Sequence, residues 1–204
     1  MIIAPVVLEN RWVRLEPYVP GLKGELAQAL NVDPDVWALM VSSGHGPRFD
    51  SWWNAAVAQT EAGSRVAYAV RRPTDGAIVG TTSLYDIRPE HRRCELGATF
   101  YRPDARGGAI NPACKRLLLG HAFDAGAVRV EILTDALNLR SRAAIEKLGA
   151  RFEGLLRSHK ITWTGRVRDT ALYAMVAEDW PDLRARLDAR LAGGPPGMRL
   201  TQTA

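Results

Sequence analysis

The segment ARGGAINPACK, residues 105–115, contains residue types that bind phosphate groups. Two adjacent glycines, Gly107 and Gly108, lie between a predicted strand and a predicted helix. Such a loop can turn its backbone N–H groups toward an anion, and the positive end of the helix dipole adds to that attraction. Arg106 and Lys115 are the cations placed to contact a phosphate. The same pattern also suits a tight strand-to-helix turn, and it lacks both the Walker motif and three spaced glycines.

A second group of polar residues lies in the segment NLRSRAAIEKLG, residues 138–149. Asn138, Ser141, Ile145 and Leu148 recur at helical spacing, which puts Ser141 on the inward stripe near the start of a helix. Inward polar groups need hydrogen-bond partners. A helix cap by Asn138, with Ser141 in the first turn, would supply them. A polar ligand that contacts both residues is the alternative.

The elements that position these segments follow from hydrophobic spacing and turn residues. Alternation predicts strands at 13–18, 65–71, 77–85, 94–101, 128–135, 151–162 and 166–176. Helical spacing predicts helices at 21–31, after Asp50, from Pro112 to about Gly126, at 138–148 and at 179–191. Asp75 and Gly76 mark a hairpin turn. A strand, loop, helix, strand unit inside an otherwise antiparallel sheet indicates one mixed α/β domain.

Composition excludes several classes of protein. The chain has 204 residues, a formal net charge of +5 and two cysteines. No apolar run approaches the roughly 20 residues that span a bilayer, which argues against an integral membrane protein. Two cysteines are too few for a disulfide framework, and the first twelve residues do not read as a secretory signal, so we expect a reduced, cytoplasmic protein. The positive charge favours an anionic partner, but no nucleic-acid-binding motif is recognisable, so we expect no nucleic acid.

In the order ELGATFY, RGGA, VEILTDALN and NLRSRAAIEKLGARFEG, these segments resemble the GNAT superfamily of acyl-CoA N-acyltransferases. The stretch NxRSxxAIEKLGAxxEG, followed by RDTALYAM and a terminal Trp-Pro helix, is similar to the Rim-type branch, which includes ribosomal-protein N-terminal acetyltransferases. The resemblance covers about residues 6–191. It implies one domain over residues 1–192, a flexible tail over 193–204, and a mostly antiparallel twisted sheet with a splayed parallel strand pair and flanking helices.

The resemblance also implies acetyl-CoA as co-substrate and a set of residues that bind it. The pantetheine arm would lie between the splayed strands, the pyrophosphate on the glycine loop, and Asn138 near the pantetheine. These implied residues are Thr99, Phe100, Tyr101, Arg106, Gly107, Gly108, Ala109, Ile110, Asn111, Lys115 and Asn138. The chain departs from the family pattern at Asp104, where Gln or Arg is usual, and at Ala109, which replaces the second glycine of the motif.

The implied reaction is acetyl transfer to a primary amine, of a protein N-terminus or a small molecule, by direct attack in a ternary complex. Glu95 beside the expected bulge is the candidate base, and Ser141 is the candidate proton donor to the departing sulfur. A solvent-facing carboxylate, or a partner for Arg92 or Arg93, is the alternative for Glu95. Candidate acceptor contacts are His45, Tyr85 and Asp86.

Other functions stay open at this point. A non-catalytic module of the same fold that binds CoA or a partner is the main alternative, and the resemblance also allows a homodimer. His91, His121 and His159 are isolated in the sequence and lack the spacing of metal ligands, so we expect no metal site.

Overall fold

The structure, a computed structural model, describes residues 1–193. The strands are β1 (Leu8–Glu9), β2 (Arg14–Pro17), β3 (Arg65–Arg71), β4 (Ile78–Arg88), β5 (Arg93–Tyr101), β6 (Arg129–Asp135), β7 (Arg151–Ile161) and β8 (Val167–Val176). The helices are α1 (Lys23–Leu30), α2 (Phe49–Glu61), α3 (Ile110–Asp124), α4 (Leu139–Glu146) and α5 (Trp180–Ala192). The predicted order of elements is confirmed, and β1 is an addition to it. The predicted tail lies outside the described residues except for Gly193.

The strands form one sheet in the order β1-β2-β3-β4-β5-β6-β8-β7. Only β5 and β6 are parallel among the strand pairs of the described chain; the others are antiparallel. This confirms the predicted single α/β domain. β4 continues to Arg88, three residues beyond the predicted end, because it keeps pairing with β5 there. No helix in residues 1–193 is long and apolar enough to cross a membrane.

Hydrophobic clusters cover both faces of the sheet. On one face, Tyr173 of β8 packs in a cluster with Leu118 of α3 and Leu183 of α5, all nearly fully buried. On the opposite face, Phe100 of β5 packs with Trp52 of α2 and other aromatic residues. Side chains alternate along a strand, so strand residues that lie between members of the first cluster point to the opposite face. We call that opposite face of β4, β5, β6 and β8 the Glu95 face.

The parallel strands β5 and β6 separate after three residue pairs. Arg93, Cys94 and Glu95 pair with β6, and pairing ends at Glu95. β5 then follows β4 through a bulge in which Ala98 and Thr99 both lie opposite one residue of β4. Ala98 has a φ of 46°, a left-handed conformation that turns the strand. A gap therefore opens between the carboxyl-terminal halves of β5 and β6, as the predicted splayed pair requires.

Candidate active site

The loop before α3 presents unpartnered backbone amides. Gly107 has a φ of 79°, which favours glycine, and α3 begins at Ile110 without a side-chain cap. Within the described chain, the amide groups of residues 107–111 donate no hydrogen bond. A Cβ atom at Gly107 or Gly108 would meet no heavy atom within 4 Å, so the space beside this loop is open. The turn interpretation is confirmed, because Gly107 makes the turn, and the turn leaves unbonded amides at a helix N-terminus, as a phosphate site would require.

Arg106 turns its side chain into the protein. Its Nε donates to the carbonyl of Tyr101 at 2.7 Å, and its Nη1 lies 2.7 Å from Oδ2 of Asp33. The Arg106 guanidinium holds the pKa of the Asp33 carboxyl below its usual range. Arg106 thus joins the end of β5 to the segment after α1. Its backbone stays in the loop, while its side chain is engaged elsewhere.

Lys115 is also turned away from the loop amides. It is 6% exposed, and its Nζ donates to the hydroxyl of Thr99 at 3.0 Å. That hydroxyl lies 2.9 Å from the hydroxyl of Thr82 on β4. Burial lowers the pKa of Lys115 to about 8. The residue therefore supports the bulge of β5 from the α3 side, where sequence reasoning expected a phosphate contact.

We expect Lys115→Met to stabilise the protein by about 2 kcal/mol at pH 7. The lowering of the Lys115 pKa from 10.5 to about 8 corresponds to about 3 kcal/mol of destabilisation, which methionine removes. Loss of the hydrogen bond to Thr99 destabilises the variant by about 1 kcal/mol. Between pH 8 and 10.5 the unfolded chain still binds a proton that the folded chain has released. Wild-type stability therefore rises with pH there, and the advantage of the variant shrinks.

Urea unfolding at pH 7, 8.5 and 10 measures this difference. Lys147→Met, at an exposed lysine, is the matched control and should not change stability in this way. If Lys115→Met is less stable than wild type at pH 7, or if the difference in unfolding free energy does not change with pH, the buried cation does not destabilise the fold as expected.

Asn138 caps α4. Its Oδ1 accepts the backbone N–H of Ser141 at 3.0 Å, so the cap interpretation is confirmed. The Asn138 N–H donates to the carbonyl of Asp135 at 2.9 Å, which fixes the turn after β6. The hydroxyl of Ser141 is half-buried and makes no hydrogen bond with any described residue. The cap thus holds Ser141 at the start of α4 with its hydroxyl available.

Glu95 is buried on the side of the sheet opposite α3, at the point where β5 separates from β6. It is 5% exposed, and Oε1 accepts a hydrogen bond from the hydroxyl of Tyr85. Burial raises the pKa of the Glu95 carboxyl, although Tyr85 and Lys160 act in the opposite direction. The alternative of a solvent-facing residue is wrong for this carboxylate. The alternative of a pairing with Arg92 or Arg93 is wrong too, because Arg92 donates to the carbonyl of Gly126 and Arg93 bonds Asp86 and Glu131.

Tyr85, predicted as an acceptor contact, lies against Glu95, and Gly97 leaves room for its ring. A Cβ atom at Gly97 would lie 3.1 Å from the Tyr85 ring, tighter than ordinary van der Waals contact. Asp86, in contrast, pairs with Arg88 at 2.8 Å and with Arg93 at 3.0 Å, so both of its carboxylate oxygens are engaged. An acceptor contact by Asp86 is not favoured by this geometry.

His45 lies in the loop between α1 and α2, and its side chain makes no hydrogen bond with the described residues. The tip of the β7–β8 hairpin reaches this loop. Trp163 donates its indole N–H to the carbonyl of Trp37 at 2.7 Å, and Arg48 lies over the Trp163 ring at 4.7 Å. The tip of the β7–β8 hairpin thus contacts the segment before α2 on the Glu95 face.

A family model described as "Acetyltransferase (GNAT) domain" matches residues 13–151. The matched range contains β5, the glycine loop, α3, β6 and α4. The chain belongs to the GNAT acetyltransferase family. By class this GNAT protein is an acyl-CoA-dependent N-acetyltransferase, and acetyl-CoA is the co-substrate of that class.

Named relatives agree with this assignment. The GNAT chain is 29% identical over 107 residues to "Putative ribosomal N-acetyltransferase YdaF" of Bacillus subtilis (strain 168), which supports the Rim-type branch. That match covers 52% of the chain and 57% of the relative, so the chain spans a little more than half the length of this relative. A solved GCN5-related N-acetyltransferase from Brucella melitensis is 28% identical, with a TM-score of 0.83 over 91% of this chain and 85% of that one.

A further solved structure shares the fold. Mycobacterium smegmatis RimJ in complex with CoA-disulfide has a TM-score of 0.79 and 23% identity, over 94% of this chain and 96% of that one. In the GNAT chain, the open glycine loop and the gap between β5 and β6 fit an extended molecule with phosphates at one end. The amides of residues 107–111 would hold the phosphates, and backbone along Thr99, Phe100 and Tyr101 would line the gap.

Sequence reasoning missed several residues on the Glu95 face of this GNAT domain. Arg65 is buried, and its guanidinium donates to the Ser83 hydroxyl at 3.0 and 2.9 Å. Asp135 is 1% exposed and pairs with Arg166. Arg168 is 6% exposed. The signal that could have found Arg168 is the alternation of arginines in RVRDT, which puts Arg168 on the same face as Arg166, the partner of Asp135.

Proposed function

We propose that this GNAT domain transfers an acetyl group from acetyl-CoA to a primary amine, of a peptide N-terminus or a small molecule, by direct attack in a ternary complex. The observation that carries the proposal is the buried Glu95–Tyr85 pair at the point where β5 separates from β6. It places a titratable carboxylate at the inner end of the gap. Perturbed carboxylates in clefts are characteristic of acid–base sites.

The glycine loop and the strand gap bind the co-substrate in this proposal. Acetyl-CoA supplies the acetyl thioester. Residues 107–111 hold its phosphates through backbone amides, and the backbone of Thr99 to Tyr101 orients the arm. Fixing the thioester beside the amine removes much of the entropic barrier of a two-molecule reaction.

Glu95 removes a proton from the amine, directly or through water. An alkyl ammonium cannot attack a carbonyl, so the proton must leave before the N–C bond forms. The raised pKa of Glu95 makes its carboxylate a stronger base than that of a solvent-exposed glutamate. Tyr85 holds the carboxylate in place through its hydroxyl.

The bulge and Ser141 act on the other side of the reacting carbonyl. A backbone N–H at Thr99 or Phe100 stabilises the oxyanion, a contribution of about 3 kcal/mol for one well-placed donor. The Ser141 hydroxyl passes a proton to the departing thiolate while it takes one up from water, so that CoA leaves as the thiol. The cap by Asn138 supports this role because it fixes the start of α4.

A CoA-release assay tests the proposal. Purified protein is mixed with acetyl-CoA and a panel of N-terminal peptides and small amines, with mass spectrometry of each product. We expect release of CoA thiol to depend on the amine and to match formation of an N-acetyl product. Calorimetric binding of CoA without any amine-dependent release would favour the non-catalytic module instead.

A further inference from the structure

Arg168 on β8 is a buried cation without a partner. It is 6% exposed, its buried Nε has no hydrogen-bond partner, and its guanidinium forms no salt bridge with any of residues 1–193. The buried Arg65, in contrast, bonds Ser83 and Gln59. Burying a guanidinium that lacks an anion is costly, and proteins rarely leave one in that state without a ligand for it.

Arg168 faces the side of the sheet on which the amine is expected. Ala171 and Tyr173 of β8 belong to the α3-side cluster, so Arg168 and Thr170 point to the Glu95 face. Thr170 is fully buried, and its hydroxyl also has no partner in the described chain. Two adjacent polar groups on one face thus lack partners. The glycine loop opens beside α3 and is a separate place for phosphates.

Neighbouring charges do not neutralise Arg168. Asp135, Tyr85 and Glu95 lie within electrostatic range of its guanidinium. Asp135 is committed to Arg166 and to the backbone N–H of Leu137. Glu95 accepts from Tyr85, and burial raises its pKa. Burial also lowers the pKa of Arg168. An added anion would therefore find a positive, partly desolvated position.

We propose that Arg168, with Thr170 beside it, binds a carboxylate of the acceptor, so that the acceptor is an amine with a carboxylate a few atoms from its nitrogen. This inference rests on the proposed function. A guanidinium binds a planar carboxylate through two parallel N–H donors, and the threonine hydroxyl adds a third. The carboxylate anchors the acceptor at Arg168, and its amine then lies toward Glu95. Both a free amino acid and a peptide with an acidic residue next to its N-terminus have this chemistry.

Matched acceptor pairs test the proposal. One pair is serine and serinamide; the other is the peptide amides Ser-Glu-Ala-Ala and Ser-Gln-Ala-Ala. In wild type we expect the carboxylate member of at least one pair to have a kcat/KM about tenfold or more above its neutral partner. The pair that shows the preference identifies the source of the carboxylate. In Arg168→Met the ratio should fall to about 1.

Equilibrium binding separates this proposal from acetyl transfer itself. The same four probes are titrated into the CoA-saturated protein by calorimetry, which needs no turnover. Carboxylate-selective binding that is lost in Arg168→Met supports the anion site even if no amine releases CoA. Equal binding or equal turnover within both pairs in wild type, or a preference unchanged in Arg168→Met, would overturn it.

Thermal unfolding distinguishes a ligand site from a structural role. Since Arg168 has no partner, Arg168→Met should leave the Tm of the ligand-free protein unchanged or raise it. Arg157→Met, at an exposed arginine on the same hairpin, should change neither Tm nor the acceptor ratio. A clear fall in Tm for Arg168→Met would assign the residue to the fold and overturn the proposal.

Discussion

Replacing Glu95 by glutamine is expected to lower kcat for acetyl transfer by about 100-fold, with little change in the KM for acetyl-CoA. Glutamine keeps the size of the side chain and can still bond the Tyr85 hydroxyl, but it cannot accept a proton from the amine. The binding of acetyl-CoA depends on the loop and strand backbone, which the substitution does not touch. Steady-state kinetics with an amine found in the release assay measures both constants.

The same residue predicts the acid limb of the pH profile. Burial raises the pKa of Glu95, and the reaction needs the carboxylate form. The wild-type rate should therefore fall as pH decreases through a pKa above the usual 4.5 of glutamate. In Glu95→Gln this limb should disappear from the residual activity, because no proton can bind at that position.

Glu90→Gln is the matched control, at an exposed glutamate five residues earlier in the chain. It should keep the wild-type kcat and pH profile. If Glu95→Gln retains wild-type kcat, or if both variants lose activity equally, Glu95 is not the base.

Replacing Gly108 by aspartate is expected to raise the KM for acetyl-CoA by about 10- to 100-fold, corresponding to about 1–3 kcal/mol. A Cβ atom at Gly108 meets nothing within 4 Å, and its φ lies outside the left-handed region, so the fold should tolerate the change. The added carboxylate would lie among amides that would otherwise face phosphate. Like charges would then repel each other.

Gly108→Ala separates charge from size. Alanine adds a similar Cβ but no charge, so its KM should stay within about threefold of wild type. Calorimetry with CoA should show the same order of affinities, and high salt should weaken the aspartate effect. Unchanged affinity in Gly108→Asp would mean that the phosphates bind elsewhere.

The order and type of the elements were predictable because hydrophobic periodicity is a local property. Alternation in Arg129–Asp135 indicated a strand with Val130 and Ile132 buried, and spacing after Pro112 indicated a helix. β1 was missed because a two-residue strand has too few positions to show a period. The cap at Asn138 was predictable for a similar reason, since its partner lies three residues along the chain.

The sequence by itself determined the family, the glycine loop and the presence of Glu95 and Tyr85, since these depend on residues close together in the chain. Only the tertiary structure decided where the charged side chains point. Arg106 turns to Asp33, Lys115 turns to Thr99, and Arg168 is left without a partner. The energy of a charge depends on its burial and on the groups around it, and those groups come from distant segments. The packing of β5, α3 and the β7–β8 hairpin therefore sets the chemistry of this site.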